Sequence, residues 1–184
     1  MSATQVLVEE HEGIRLMLRI LGKVCDRLEA GEAIDADHLA QIVEFLQVFA
    51  DQCHHAKEEE LLFPAMEAAG VPREQGPIGV MLYEHTLGRG YVSSMAETLA
   101  AYRAGEEAQA AAFASHARNY IALLTQHIEK ENNILFPMAD RTLSEQIQAR
   151  LVEQFDDVER ERIGPGRHEA FHEMMSDLEA VYLA

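Results

Sequence analysis

The sequence predicts an all-α fold, an up-down-up-down four-helix bundle with one or two further helices at its C-terminal end. Three features support this. Apolar residues recur in alternating steps of three and four along four long stretches, the signature of helices with one face turned to a core. Glycine and proline gather at the joints between those stretches instead of being spread through them. No stretch alternates apolar and polar residues with the period of two that a half-buried strand requires.

The first helix carries the seam Leu7, His11, Ile14, Leu18, Leu21, Cys25 and Leu28 and ends before Gly31. The second opens at Asp35 or Asp37, either of which can cap the first free N–H groups, and its seam is Leu39, Val43, Leu46, Ala50, His54, Glu58 and Leu61. A Gly- and Pro-rich connection at 70–77 leads to the third seam, Met81, His85, Gly88, Val92, Met95, Leu99 and Tyr102. Beyond Gly105 the fourth runs Phe113, Ala117, Tyr120, Leu124, His127, Glu131, Ile134 and Met138. Short connections make successive helices antiparallel neighbours. Residues 1–140 therefore read as the bundle, and 141–184, broken by Gly-Pro-Gly at 164–166, as a helical extension packed outside it.

Composition narrows the function. A chain of 184 residues is one domain by length, and 48% hydrophobic against 26% charged residues excludes a disordered segment. Fifteen Lys and Arg against 32 Asp and Glu give a net charge of −17, which repels phosphate backbones and anionic lipid, so neither nucleic acid nor a membrane is an expected partner. The N-terminal residues lack the basic and apolar regions of a signal peptide, and no apolar run is long enough to span a bilayer, so a soluble, cytoplasmic protein is expected. Cys25 and Cys53, the only cysteines, fit neither a disulfide framework nor a zinc ribbon.

The nine histidines carry the strongest signal. In an antiparallel hairpin, residues equally far from the turn lie at one height. The midpoint of His11 and His54 falls beside Gly31, that of His85 and His127 beside Gly105, and that of Glu58 and His85 inside the 70–77 connection. The four seam histidines thus converge on one layer, with Glu58 and Glu131 one turn from His54 and His127 on the same helix faces. The chain also repeats itself: HHAKEEELLFP from His54 and HIEKENNILFP from His127 share His-x-x-x-Glu and a later Leu-Phe-Pro. That spacing selects His54 and Glu58, and sets His55 and Glu59 off the seam. Buried imidazoles and carboxylates must be compensated, and six are too many for one tetrahedral zinc. Two near-octahedral ions bridged by the two carboxylates use them all, and the donor mix suits iron, with manganese, zinc or cobalt compatible.

With His11-Glu12, the HHAKEEELLFP block, Glu84-His85 and the HIEKENNILFP block, residues 5–140 resemble the hemerythrin-like, or HHE cation-binding, family of four-helix di-iron proteins, in its bacterial form. The ferritin-like class, with Glu-x-x-His and a majority of carboxylates, is less similar. The resemblance implies two iron ions, oxo- or hydroxo-bridged, held by His11, His54, Glu58, His85, His127 and Glu131, with both glutamates bridging. It implies binding or conversion of O2, NO or peroxide, either as a di-iron oxidoreductase with an unidentified electron donor or as a binder without turnover. The alternative is an iron, oxygen or redox sensing or iron-handling module. One position departs from the oxygen carriers, which place a further histidine four residues after the one in the third helix. Here that residue is Arg89, so five ligands per iron and one exchangeable position on each are expected, which favours redox chemistry over reversible oxygen carriage. A guanidinium cannot donate a lone pair, so Arg89 is expected to reach solvent or pair with an acid.

Other histidines read as structural. HEAFH at 168–172 matches the zinc-protease motif HExxH literally, but no third ligand follows, and a solvated helix face is the expected reading. His116 lies about 16 Å along its helix from His127, too far to share a site. Tyr120 and Cys53 read as core packing.

Overall fold

The computed structural model describes residues 1–184 and is helical throughout, without strands. The first arm is α1 (Ala3–Glu29), closed at its start by a capping box between Ser2 and Gln5. The second is a composite: α2 (Ala36–Phe45), capped by Asp35, runs on through π-helical Leu46–His55 and Glu58–Leu62 into α3 (Phe63–Ala68). The third arm is α4 (Pro77–Arg103). The fourth joins α5 (Gln109–Lys130) through π-helical Glu131–Leu135 to α6 (Phe136–Thr142). Helices α7 (Glu145–Arg162) and α8 (Arg167–Tyr182) complete the chain. Gly31 and Gly105, with φ of 79° and 95°, take the left-handed conformation that ends the outgoing arm of each hairpin.

Neighbouring arms pack around a ring, α1 on α5, α5 on α4, and α4 on α2. The first and second arms touch each other less, and α7 and α8 lie across both. The extension is part of the same interior. Leu151 and Phe155 join Leu7, Phe63 and Phe136 in one apolar cluster, while Phe171, Met175 and Leu178 join the larger one. The Gln148 side chain ties the N-terminus down, accepting from the Ala3 N–H at 3.0 Å and donating to Asp140 at 2.9 Å.

These two clusters lie on opposite sides of a polar layer. On α1, Leu7 belongs to one and Ile14 to the other, with His11 between them. Likewise His85 stands between Met81 and Val92, and His54 and Glu58 between Cys53 and Leu62.

The seams of α1 and α4 hold as expected, except that Tyr102 at the far end of α4 is half-buried, its hydroxyl donating to the Ile34 carbonyl at 3.0 Å. Those of the second and fourth arms slip by one residue. Leu62 and Leu135 are buried where Leu61 and Ile134 were expected. The cause is the π-turn: the Phe63 N–H donates to the Glu58 carbonyl and the Phe136 N–H to the Glu131 carbonyl, five residues back, so one extra residue enters the turn. Pro64 and Pro137 follow directly, where a proline ring would crowd the carbonyl of a regular α-turn. The repeated sequence block is therefore a repeated π-turn.

This slip has a measurable consequence. Leu135→Ala should lower the free energy of unfolding by about 3 kcal/mol, whereas Ile134→Ala, at a half-exposed position, should change it by no more than about 0.5 kcal/mol in the same urea titration.

Candidate metal centre

All six residues singled out by spacing meet in the polar layer, and each is at most 1% exposed. Each histidine is held from behind at Nδ1. His11 donates to Asn132 Oδ1 at 2.8 Å, His54 to Glu10 at 2.8 Å, His85 to Glu59 at 2.7 Å and His127 to Glu84 at 2.9 Å. With the proton at Nδ1, Nε2 presents a lone pair to the interior, the orientation that a carboxylate or amide behind an imidazole imposes at metal sites.

Inside the layer the acceptors face one another. His11 and His54 bring their Nε2 atoms to 3.1 Å, and so do His85 and His127. Glu131 spans the two pairs, with one oxygen 3.1 Å from His11 Nε2 and the other 3.0 Å from His127 Nε2. Glu58 spans them from the opposite side, 3.3 Å from His85 Nε2 and 3.8 Å from His54 Nε2. None of the four carboxylate oxygens finds a hydrogen-bond donor. Buried acceptors crowded together without donors are strongly unfavourable unless positive charge lies among them.

Protons supply part of that charge when no ion does. Burial opposes charging His127, but Glu131 and Glu84 outweigh it and raise its pKa to about 9. Burial and the charge of Glu131 hold Glu58 protonated well above the usual carboxylate range. Glu131 is itself held low, because His127 and His11 overcome the cost of its burial. Burial keeps two other imidazoles neutral, with pKa values lowered to about 4 for His54 and about 3 for His85. Neutral imidazoles are the form that binds a metal.

The supporting carboxylates went unrecognised in the sequence, although they too repeat. Each hairpin has Glu-His on its outgoing arm and His-x-x-Lys-Glu on its return. Glu10 accepts from His54 and from the buried Lys57, and Glu84 accepts from His127 and Lys130. Asn132 and Glu59, each just after a spanning glutamate, hold His11 and His85. A pseudo-two-fold arrangement thus relates the two halves of the layer.

A model of the hemerythrin HHE cation-binding domain matches residues 2–139. The chain belongs to this family. Uncharacterized proteins of Mycobacterium bovis and of two strains of Mycobacterium tuberculosis are 24% identical to it over 178 residues, 97% of this chain and 69% of theirs. No solved structure matches it. No helix of this HHE protein is long and apolar enough to cross a membrane.

One residue of this HHE domain stands elsewhere than expected. His55 turns inward beside His54, 3% exposed, and its ring stacks on His85 with centroids 3.9 Å apart. Consecutive residues on an α-helix point about 100° apart, which is why a regular seam admits only one of them. The stretch Leu46–His55 is π-helical, with the Ala56 N–H donating to the Asp51 carbonyl, and more residues per turn means less rotation between neighbours. Arg89, as expected, pairs with acids: Nε donates to Asp51 at 2.8 Å and an Nη to Glu59 at 2.8 Å. A surface pocket of about 680 Å³ between this π-helical stretch and α4 includes His55, Arg89 and Tyr120 in its lining. His168 and His172 on α8 stand outside the layer: His172 is exposed as expected, whereas His168 is half-buried, its ring 5.8 Å from that of Phe49 and its Nδ1 donating to Glu159 at 2.8 Å.

The lowered histidine pKa values set the acid response of the domain stripped of metal by a chelator. Between the ordinary 6.5 and the folded values near 4 and 3, the unfolded chain binds more protons. The stability contributed by neutral His54 and His85 is complete above pH 6.5 and is lost as pH falls through that window. Glu10, Glu59 and Glu84, all held low, act in the same direction at the acid end, whereas Glu58 and His127, both raised, oppose it, His127 only above pH 6.5. Urea titrations should show unfolding free energy falling from pH 6.5 to pH 4, each of the two histidines contributing roughly 1.4 kcal/mol per pH unit and Glu58 taking back part of the sum.

Proposed function

We propose that the protein is a binuclear non-haem iron protein that binds or converts O2, NO or peroxide. The observation that carries this reading is the layer itself, where the Nε2 atoms of four imidazoles and two donorless carboxylates face one another in a buried interior. His11 and His54 would hold one ion and His85 and His127 the other, with Glu58 and Glu131 spanning both. Manganese or zinc fits the same donors, but imidazole and carboxylate together suit iron. When bound, a pair of iron ions supplies redox equivalents and exchangeable coordination positions for small ligands. The chain's own residues do the rest. Asn132, Glu10, Glu59 and Glu84 orient the imidazoles, Lys57 and Lys130 balance the charge behind them, and the apolar clusters on either side exclude bulk water.

Protein purified without added metal should carry about two ions per chain, mainly iron, and its absorption spectrum should change on exposure to NO. Glu58→Ala and Glu131→Ala should each reduce bound metal to one ion or fewer per chain, because each carboxylate serves both ions. Arg160→Ala, an exposed position on α7, should leave the count unchanged. Elemental analysis of folded protein showing no metal, or metal retained only through His168 and His172, would overturn the reading.

A further inference from the structure

We infer that His55 is a fifth histidine ligand of the centre, completing the half formed by His85 and His127 and leaving the half formed by His11 and His54 with the exchangeable position. The inference rests on the binuclear reading above and adds to it which ion is closed and which is open.

Three independent observations support it. First, His55 is also held at Nδ1 by an acid, Asp51 one turn back on its own helical stretch, whose Oδ1 lies 3.2 Å away, which places the proton there and leaves Nε2 as a lone pair. Second, that Nε2 is buried and has no hydrogen-bond partner. Its surroundings explain why it is tolerated, since the donor atoms of His55, Glu58, His85 and His127 all lie within 4.8 Å of one another. A second such group, His11, His54, Glu58 and Glu131, contains no counterpart of His55. Third, the pseudo-two-fold breaks at this residue. The repeat aligns His55 with Ile128, which cannot ligate.

Arg89 belongs to the same device. It occupies the position from which the third helix would present a further imidazole, and it holds Asp51, the residue behind His55. The imidazole missing from α4 is thus replaced across the bundle by one from the second arm, which the π-helical stretch turns inward. The count of ligands changes accordingly. With His55, His85, His127, Glu58 and Glu131 around one ion, only the His11 and His54 side keeps room for an exogenous ligand, not both sides as Arg89 alone implied.

The test uses the full chain loaded with cobalt(II), whose paramagnetism shifts the proton resonances of ligating imidazoles far from the rest of the spectrum. In water, each ligating histidine contributes one solvent-exchangeable Nδ1–H signal, because each Nδ1–H is held by a protein acceptor. Unmodified protein with two cobalt ions bound should show five such signals and take up one equivalent of azide per centre. His55→Leu should show four signals and take up two equivalents. Two bound cobalt ions with four signals in the unmodified protein would overturn the role of His55 while leaving the binuclear reading intact. Folded protein that binds no cobalt would overturn both. The count in the unmodified chain decides even where His55→Leu fails to fold.

Discussion

The structure depends on a layer of buried acceptors that need positive charge in their midst. Apolar packing alone would place leucine or phenylalanine at the heights of His11, His54, His85 and His127, as it does on both sides of them. Instead the bundle interrupts its core with imidazoles that are each held from behind at Nδ1, so that their Nε2 atoms and the carboxylate oxygens face inward. Such a layer destabilises a fold unless cations, or failing those protons, sit within it. Much of the remaining chain serves to hold it in place.

Holding it is a matter of cross-bracing. The group behind a histidine comes from a different arm of the bundle: Glu10 of α1 supports His54, Glu84 of α4 supports His127, and Glu59 supports His85. These seam imidazoles are thereby oriented by tertiary packing, whereas His55 is held by Asp51 of its own helical stretch. Lys57 extends the bracing outward, pairing with Glu10 and, at 3.5 Å, with Glu159 on α7. Burial alone would lower the pKa of Lys57, but Glu10 outweighs it and keeps the ammonium charged. The C-terminal extension thus reaches the outer shell of the centre as well as covering the first and second arms.

The π-turns are the backbone's part of the same device. Two begin at Glu58 and Glu131, residues that face the layer, and the third, Leu46–His55, ends on the pair His54 and His55, so each widens the turn where the side chains must converge. Loss of regular helical hydrogen bonding there is offset by the convergence it permits. The prolines that follow restore the α-helix at a position where the lost N–H was not needed.

The sequence by itself determined the helical class, the order of the arms and the six residues at a common height, because a period of 3.6 and the distance from a turn are both properties of sequence number. It also contained the Glu-His and His-x-x-Lys-Glu repeats, whose meaning was hidden because Glu10 and Glu84 act on histidines of the neighbouring arm. Only the tertiary structure decided the phase of the second and fourth arms beyond the π-turns, where Leu62 and Leu135 replace Leu61 and Ile134. The same change of helical pitch brought His55 beside His85. A seam drawn at constant pitch assigns adjacent residues to different faces, and the pitch is set by hydrogen bonds between backbone groups, which no single side chain in the sequence announces.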